Sequence, residues 1–174
     1  KIMAEFVDGF EAIRRYGLAI TFFGTARDTL PENVYTDATA LSGRLAKAGY
    51  AVITGGSSGL MEAANRGAYE AGGASIGLNI RLPHEQAGNK YVTESTTFDH
   101  FFVRKVMLAF ASEVYICFPG GFGTIDEFSE ILTLIQTKKI KRVPIVLYSK
   151  EYWTPIVNLF RDHLLMKYHA IDAE

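Results

Sequence analysis

Residues 114–127 read Val-Tyr-Ile-Cys-Phe-Pro-Gly-Gly-Phe-Gly-Thr-Ile-Asp-Glu, and this stretch decides the fold. Val114–Phe118 is apolar throughout, which is typical of a strand covered on both faces in a parallel sheet. Three glycines follow within four positions, and apolar residues then recur at helical spacing over Thr124–Thr137. The stretch therefore predicts a strand that enters a helix through a glycine-constrained turn.

The same alternation of strand and helix continues along the chain in both directions. Further apolar runs predict strands at Leu18–Phe23, Tyr50–Thr54, Ala74–Asn79 and Val143–Tyr148. Helical patterns cover residues 32–48, Leu60–Ala71, His100–Ala111 and Trp153–Leu165. Strands that alternate with helices of this length predict βαβ units, and hence an α/β, doubly wound parallel sheet flanked by helices. We expect one nucleotide-binding domain over residues 1–174.

Four polar side chains are placed to cap these helices. Ser57 or Ser58 precedes the helix after the second strand, and Asp99 precedes His100–Ala111. Thr124 starts the helix after the glycine turn, where it either caps the helix or donates its hydroxyl to a phosphate oxygen, and Glu127 three residues later gives the capping-box spacing. The pattern therefore predicts side-chain caps at three helix starts.

Composition limits the classes of function. The chain has 174 residues, with 18 Lys+Arg against 19 Asp+Glu, so its net charge is −1. This balance excludes binding dominated by bulk neutralisation of a phosphate backbone, so we expect no nucleic-acid partner and a locally held anion. The single cysteine, Cys117, excludes an intrachain disulfide framework and a thiolate metal cluster. The lone cysteine therefore predicts the reducing cytoplasm, and the apolar runs are too short to span a bilayer, so we expect no membrane partner.

Three glycine-containing loops are candidate anion sites. Gly120-Gly121-Phe122-Gly123-Thr124 offers backbone N–H groups and a helix N-terminus to a phosphate, although a tight turn without a ligand has the same composition. Thr54–Gly59 fits phosphate or ribose binding as well as close helix–strand packing, and Gly24–Arg27 adds a guanidinium. The glycine spacing matches neither the dinucleotide fingerprint nor Walker A, so neither NAD nor ATP is predicted.

Charged residues near these loops suggest chemistry. Arg104 shares a helical face with Phe101 and Leu108, so with Lys105 it either completes an anion site or snorkels at the helix surface. Glu127, beside Asp126, lies one turn from the phosphate loop, where a carboxylate reaches a ribose hydroxyl or a water, unless it only completes the capping box. Glu85, in the long polar loop, is a candidate second acid or a ligand of a base or sugar edge.

Two of these motifs resemble a known family. Pro119–Glu127 matches P-G-G-x-G-T-x-x-E in full, and Arg104-Lys105 matches an Arg-Lys pair upstream of it. Over roughly residues 18–148 the chain resembles the LONELY GUY (LOG) family of cytokinin riboside 5′-monophosphate phosphoribohydrolases, which are often described as lysine decarboxylases. Its second loop, Gly-Gly-Ser-Ser-Gly-Leu-Met-Glu at 55–62, is closer to the bacterial branch.

The resemblance implies a Rossmann-like fold, a homodimer or larger homo-oligomer with the site near the subunit interface, and no metal or organic cofactor. It implies that Arg104 and Glu127 are the catalytic pair. The full set of candidate substrate-binding residues is Gly24, Gly55, Gly56, Gly59, Glu85, Lys105, Gly120, Gly121, Gly123, Thr124, Asp126 and Thr133.

The expected reaction is hydrolysis of the N-glycosidic bond of a nucleoside 5′-monophosphate, AMP or a cytokinin riboside monophosphate, to free base and ribose 5-phosphate. The alternative is a protein that binds a nucleotide or a phosphorylated cofactor without cleaving it, as molybdenum-cofactor carriers do. Glycine loops fit both functions. A carboxylate beside the ribose favours the hydrolase, because an oxocarbenium-like transition state needs negative charge nearby.

Overall fold

Six parallel strands form one sheet in the computed structural model of the chain, which describes residues 1–27, 29, 31–82 and 88–172. The strands are β1 Ala19–Phe23, β2 Ala51–Thr54, β3 Ser75–Ile80, β4 Glu94–Phe98, β5 Val114–Cys117 and β6 Ile145–Leu147. Their order is β4-β3-β2-β1-β5-β6, and each neighbouring pair is parallel. The α/β, Rossmann-like architecture is thereby confirmed.

Helices cover both faces of the sheet. They are α1 Ile2–Arg14, α2 Glu32–Lys47, α3 Leu60–Glu70, α4 Phe101–Phe110, α5 Phe122–Gln136 and α6 Lys150–Leu159, and α6 runs on into a π-helical turn, Phe160–Leu165. One core cluster joins α2 and α3 to the sheet, and the other joins α1, α4, α5 and α6 to its opposite face. No helix in the described residues is long and apolar enough to cross a membrane.

The five predicted strands are all present, each within two residues of its expected ends. The sequence pattern missed β4, because the stretch Glu-Ser-Thr-Thr-Phe at 94–98 is polar and lies at the edge of the sheet with alternate residues exposed. It also missed α1, which packs Ala12 and Ile13 inward beside α4.

The predicted caps are wrong. α3 begins after Gly59, and the hydroxyl of Ser58 donates to the carbonyl of Ala26 at 2.6 Å instead of capping the helix. α4 begins after His100, and Asp99 forms an ion pair with Arg81 at 2.6 Å. α5 begins two residues earlier than expected, at Phe122, so Thr124 lies inside the helix and the capping-box interpretation of Glu127 fails.

The topology leaves a crevice at the centre of the sheet. From β1 the chain adds β2, β3 and β4 on one side and then returns to place β5 on the other side of β1. The loops that follow β1 and β5 therefore leave the sheet in opposite directions and open a crevice at the carboxyl ends of these two strands. Ligands bind at this position in such sheets. Phe23 and Cys117 pair at this end, and the glycine-rich loops follow.

Candidate active site

A cleft of about 320 Å³ opens at this crevice. Loops after β1, β2 and β5 form its walls together with α4 and α5. Of the predicted site residues, it is lined by Gly24, Gly55, Arg104, Gly121, Gly123, Thr124, Asp126 and Glu127. Arg27 of the third candidate loop also lines it. The structure therefore brings both proposed catalytic residues to one cavity with two of the candidate anion loops and part of the third.

The N-terminus of α5 forms one wall of the cleft. The amide N–H groups of Thr124 and Ile125 donate to the carbonyl of Gly121, and the preceding N–H groups of the first turn have no partner within the helix. A Cβ atom at Gly121 or Gly123 would meet nothing within 4 Å, so the cleft side of this turn is open. This geometry suits a bound phosphate.

The second glycine loop packs closely against its neighbours. A Cβ atom on Gly55 would lie 2.2 Å from Nη2 of Arg104, and one on Gly59 would lie 2.6 Å from the carbonyl oxygen of Thr25. Gly59 also has φ +65°, a backbone conformation that favours glycine. Gly56 lines an adjacent cleft of about 350 Å³, which shares Gly55 and Arg104 with the first. Gly59 is explained by close packing, whereas Gly55 borders the cleft.

Arg104 reaches the cleft from α4. Its Nε donates to the carbonyl of Leu78 at 2.7 Å, and its guanidinium lies 5.9 Å from the centre of the Phe101 ring. Burial lowers the pKa of Arg104, and the negative charge of Glu127 opposes that effect. The structure therefore places this cation in the cleft and does not support the snorkelling interpretation.

Glu127 is the buried carboxylate of the site. Its side chain projects from α5, the residue is only 8% exposed, and Oε2 finds no hydrogen-bond partner among the described residues. Burial raises the pKa of Glu127 to about 7, although the positive charges of Lys105 and Arg104 lower it. A carboxyl group of this kind exchanges a proton near neutral pH, as a general base or acid requires.

Burial of Glu127 also predicts how stability depends on pH. Its pKa in the folded chain, about 7, lies above the ordinary value of 4.5, so the folded state holds the proton more tightly. The contribution of Glu127 to the free energy of unfolding is fully present below its ordinary pKa. It is lost as the pH rises through 7, and the loss is on the order of 3 kcal/mol at pH 8. We expect urea unfolding of Glu127→Gln to show a higher free energy of unfolding than wild type at pH 8, with the difference vanishing at pH 4. If the free energies of unfolding of wild type and variant changed in parallel between pH 4 and pH 8, this would contradict the burial of an ionisable Glu127.

The remaining candidates lie further from the cleft. Lys105 pairs with Asp126 at 2.6 Å and with Glu130 at 3.1 Å, so it contacts a cleft residue without lining the cleft itself. A Cβ on Gly120 would lie 2.0 Å from Oγ1 of Thr124, so the absence of a side chain at Gly120 allows the hydroxyl of Thr124 to approach the backbone of the turn closely. The hydroxyl of Thr133 donates to the carbonyl of Ser129 within α5.

The catalytic and substrate-binding roles of all these candidates stay predictions. Lys105 and Thr133 as substrate contacts are not tested by their positions in one chain. Glu85 lies outside the described residues. Two residues that line the cleft, Met61 and Phe101, were missed as site residues because apolar side chains at helical spacing look like ordinary core positions.

Substitution of Gly55 tests the cleft without removing any charged group. A methyl group at Gly55 would collide with Nη2 of Arg104, the far end of a flexible side chain, so the guanidinium would move while the fold persists. A displacement of about 1 Å at a reacting centre costs roughly 10²-fold in rate. We expect Gly55→Ala to lose about that much kcat/KM with little change in melting temperature. Gly17→Ala, where a Cβ meets nothing within 4 Å, is the control, and equal kinetics for the two variants would contradict the geometry.

Comparison with known proteins agrees with the family expected from the sequence. A family model described as "Possible lysine decarboxylase" matches residues 61–174. Curated relatives that match this chain are named cytokinin riboside 5′-monophosphate phosphoribohydrolase. The chain therefore belongs to this family, the LOG family.

Two curated relatives show the degree of similarity. A probable cytokinin riboside 5′-monophosphate phosphoribohydrolase of Oryza sativa subsp. japonica is 35% identical over 89 residues, covering 50% of this chain and 36% of the relative. The cytokinin riboside 5′-monophosphate phosphoribohydrolase of Rhodococcoides fascians is 28% identical over 112 residues, covering 62% of this chain and 55% of the relative. The matches thus span from about a third to just over half of these relatives' length.

One solved structure with a similar fold is named as a cofactor carrier. The molybdenum cofactor carrier protein of Chlamydomonas reinhardtii superposes with a TM-score of 0.59 at 30% identity, and the match covers 75% of each chain. The fold of this chain is thus shared between proteins named for a hydrolytic activity and a protein named for carrying a cofactor. Only the residues of the cleft distinguish the two functions.

Proposed function

We propose that this chain hydrolyses the N-glycosidic bond of a nucleoside 5′-monophosphate. The observation that carries the proposal is the burial of Glu127 beside Arg104 and one turn from the open N-terminus of α5, with one carboxylate oxygen that has no hydrogen-bond partner in the described part of the chain. A site that only holds a phosphate has no use for a buried carboxylate, because like charges repel. A site that forms a positively charged sugar does.

The cleft supports a division of roles. Backbone N–H groups at the start of α5 and the hydroxyl of Thr124 bind the 5′-phosphate, and this remote contact anchors the ribose. Arg104 holds the phosphate or the ribose, and its positive charge favours the ionised form of Glu127 against the effect of burial. Each group thus acts on a different part of one nucleotide.

Glu127 acts where the bond breaks. As the bond between C1′ and the base nitrogen lengthens, its negative charge stabilises the oxocarbenium-like sugar. A water molecule adds its oxygen to C1′ and gives its proton to Glu127, and that proton then passes to the departing base. The products are the free base and ribose 5-phosphate.

AMP and cytokinin riboside monophosphates are the proposed substrates. The names of the relatives in rice and in Rhodococcoides fascians support a cytokinin nucleotide, and the glycine loops and Glu127 act on groups that every nucleoside 5′-monophosphate shares. We therefore propose AMP as the general substrate, with a cytokinin riboside monophosphate as a more specialised one.

Incubation with a panel of nucleoside 5′-monophosphates tests the activity. We expect free base to appear with AMP and not with adenosine, because the phosphate contributes the binding energy that the cleft uses. Tight binding across the panel without release of any base would favour the carrier function instead. The similarity to the molybdenum cofactor carrier is the observation that keeps this second function in view.

We further propose a homodimer or larger homo-oligomer in the cytoplasm. Support comes from four phenylalanines on α4 and at the start of α5 that expose half or more of their surface: Phe101, Phe102, Phe110 and Phe122. Phe122 is 95% exposed and Phe101 lines the cleft, so an apolar surface adjoins the site. Light scattering coupled to size exclusion is expected to give the mass of at least two chains, and the mass of one chain at micromolar concentration would contradict the assembly.

A further inference from the structure

A fully buried polar cluster lies directly behind the second glycine loop. At its centre is Asn65 of α3, which is 0% exposed. Oδ1 of Asn65 accepts from the hydroxyl of Thr54 at 2.6 Å and from Nδ2 of Asn89 at 2.9 Å. Nδ2 of Asn65 donates to the hydroxyl of Ser75 at 2.8 Å. One amide thus joins β2, α3, β3 and the segment that follows residue 87.

The partners of Asn65 in turn hold the loop. The amide N–H of Gly56 donates to the hydroxyl of Thr54 at 2.9 Å. The backbone N–H of Asn89 donates to the carbonyl of Gly56 at 2.9 Å, and its Nδ2 donates to the carbonyl of Ser57 at 3.0 Å. Because both amide hydrogens of Asn89 and the single hydroxyl hydrogen of Thr54 are used, the cluster leaves these atoms only one arrangement.

The loop held in this way is the wall against which Arg104 lies. Gly55 approaches Nη2 of Arg104 so closely that a Cβ atom would fall 2.2 Å from it, and the same side chain is tied to the carbonyl of Leu78. Arg104 lines the cleft with Glu127 and lowers its pKa. A shift of the loop would therefore remove one restraint on the guanidinium, which could then move away from the carboxylate by rotating about its remaining hydrogen bond to Leu78.

We infer that Asn65 is a positioning residue for the proposed hydrolysis: through Thr54 and Asn89 it fixes the second glycine loop, which holds Arg104 beside Glu127. This inference rests on the proposed function for its kinetic consequence. Its structural part, the restraint on the loop, is independent of any activity. Buried polar clusters of this kind specify one arrangement only when every member is satisfied.

A matched pair of substitutions at Thr54 tests the inference. Thr54→Val keeps the shape of the side chain and removes the hydroxyl that joins Gly56 to Asn65, whereas Thr54→Ser keeps that hydroxyl. With AMP as the probe, we expect Thr54→Val to lower kcat by about 10-fold or more with KM changed less than about threefold, because the phosphate loop on α5 is untouched. Thr54→Ser is expected to stay within about threefold of wild type in kcat.

The pH profile separates positioning from general destabilisation. If the guanidinium leaves its place, Glu127 loses a positive charge that lowers its pKa, so the inflection of kcat/KM in Thr54→Val moves to higher pH. Ser42→Ala is the control, because Ser42 is also fully buried and donates to the carbonyl of Thr39 on α2, away from the cleft. It is expected to lose stability without a change in kcat or in the inflection.

Amide hydrogen exchange provides a readout that needs no turnover. Exchange at Gly56, whose N–H is bonded to Thr54, is expected to accelerate in Thr54→Val and in Asn65→Leu but not in Ser42→Ala. Unchanged exchange at Gly56, or Thr54→Val behaving like Ser42→Ala in kcat and pH profile, overturns the inference. Absence of base release by the wild-type chain would instead contradict the proposed function. In that case the hydrogen-exchange rate of Gly56 would still test whether the cluster restrains the loop.

Discussion

Replacement of Glu127 by glutamine is expected to lower kcat for AMP hydrolysis by about 10³-fold, within the range that general acid–base groups contribute. The amide has nearly the same shape, but it carries no negative charge for the oxocarbenium-like sugar and cannot take the proton of the attacking water. KM should change little, because the phosphate is held at the start of α5. Wild-type kcat/KM should rise with an inflection near pH 7, where Glu127 ionises, and the variant should lack that inflection.

Glu130→Gln is the matched control for this substitution. Glu130 lies one turn further along α5, where its carboxylate is 3.1 Å from Nζ of Lys105, and it does not line the cleft. Its charge raises the pKa of Glu127, so its removal should shift the inflection slightly to lower pH with kcat within about threefold of wild type. Retention of near-wild-type kcat by Glu127→Gln would remove Glu127 from the mechanism.

Replacement of Arg104 by glutamine is expected to lower kcat/KM by about 10²- to 10³-fold, the loss typical of one preorganised charged contact in a water-poor site. The substitution removes the guanidinium from the phosphate or ribose. It also removes a positive charge that lowers the pKa of Glu127, so the inflection in kcat/KM should move to higher pH. Arg104→Lys should recover only part of the loss, because an ammonium lacks the planar fork that binds two oxygens.

A surface arginine provides the comparison. Arg66 forms an exposed ion pair with Glu70 at 2.7 Å, one turn apart on α3, and Arg66→Gln should leave kcat/KM and the pH profile unchanged. The measurement is the steady-state kcat/KM of wild type, Arg104→Gln and Arg66→Gln between pH 5 and 9. An Arg104→Gln variant with an unmoved inflection would contradict the electrostatic link between Arg104 and Glu127.

The centre of the fold could be predicted from the sequence because burial leaves a simple pattern. A strand covered on both faces is apolar throughout, as in Val114–Phe118, and its glycine turn marks the start of the next helix. The edge strand β4 carries no such pattern, since the stretch Glu-Ser-Thr-Thr-Phe is shaped by only one neighbouring strand. The start of α5 was misplaced by two residues because the residue at its N-cap, Gly121, has no side chain that could mark the position in the sequence.

The site could be predicted in part for a similar reason. Arg104 and Glu127 stand out as charges among apolar residues, and motifs identify them. The burial that gives Glu127 its raised pKa arises only when α4 and α5 pack together, so no local pattern contains it. The cluster around Asn65 joins residues 54, 65, 75 and 89, and only the folded chain shows that they share hydrogen bonds.

Stability and function oppose each other at Glu127. A carboxylate that is 8% exposed, with one oxygen lacking a hydrogen-bond partner among the described residues, is costly above its pKa, and proteins keep such groups where activity needs them. The same burial that makes the chain less stable at pH 8 raises the pKa of Glu127 to about 7, so this carboxyl group can exchange a proton near neutral pH. Removal of the charge is therefore expected to stabilise the fold and abolish the reaction together.

Quantitative product analysis with AMP tests the central claim most directly. Purified wild-type chain and Glu127→Gln are each incubated with AMP, and adenine and ribose 5-phosphate are measured by chromatography. We expect wild type to release the two products in equal amounts, whereas Glu127→Gln should bind AMP but release neither at a comparable rate. AMP that stays intact while bound to the wild-type chain, or equal release by both proteins, would contradict this expectation.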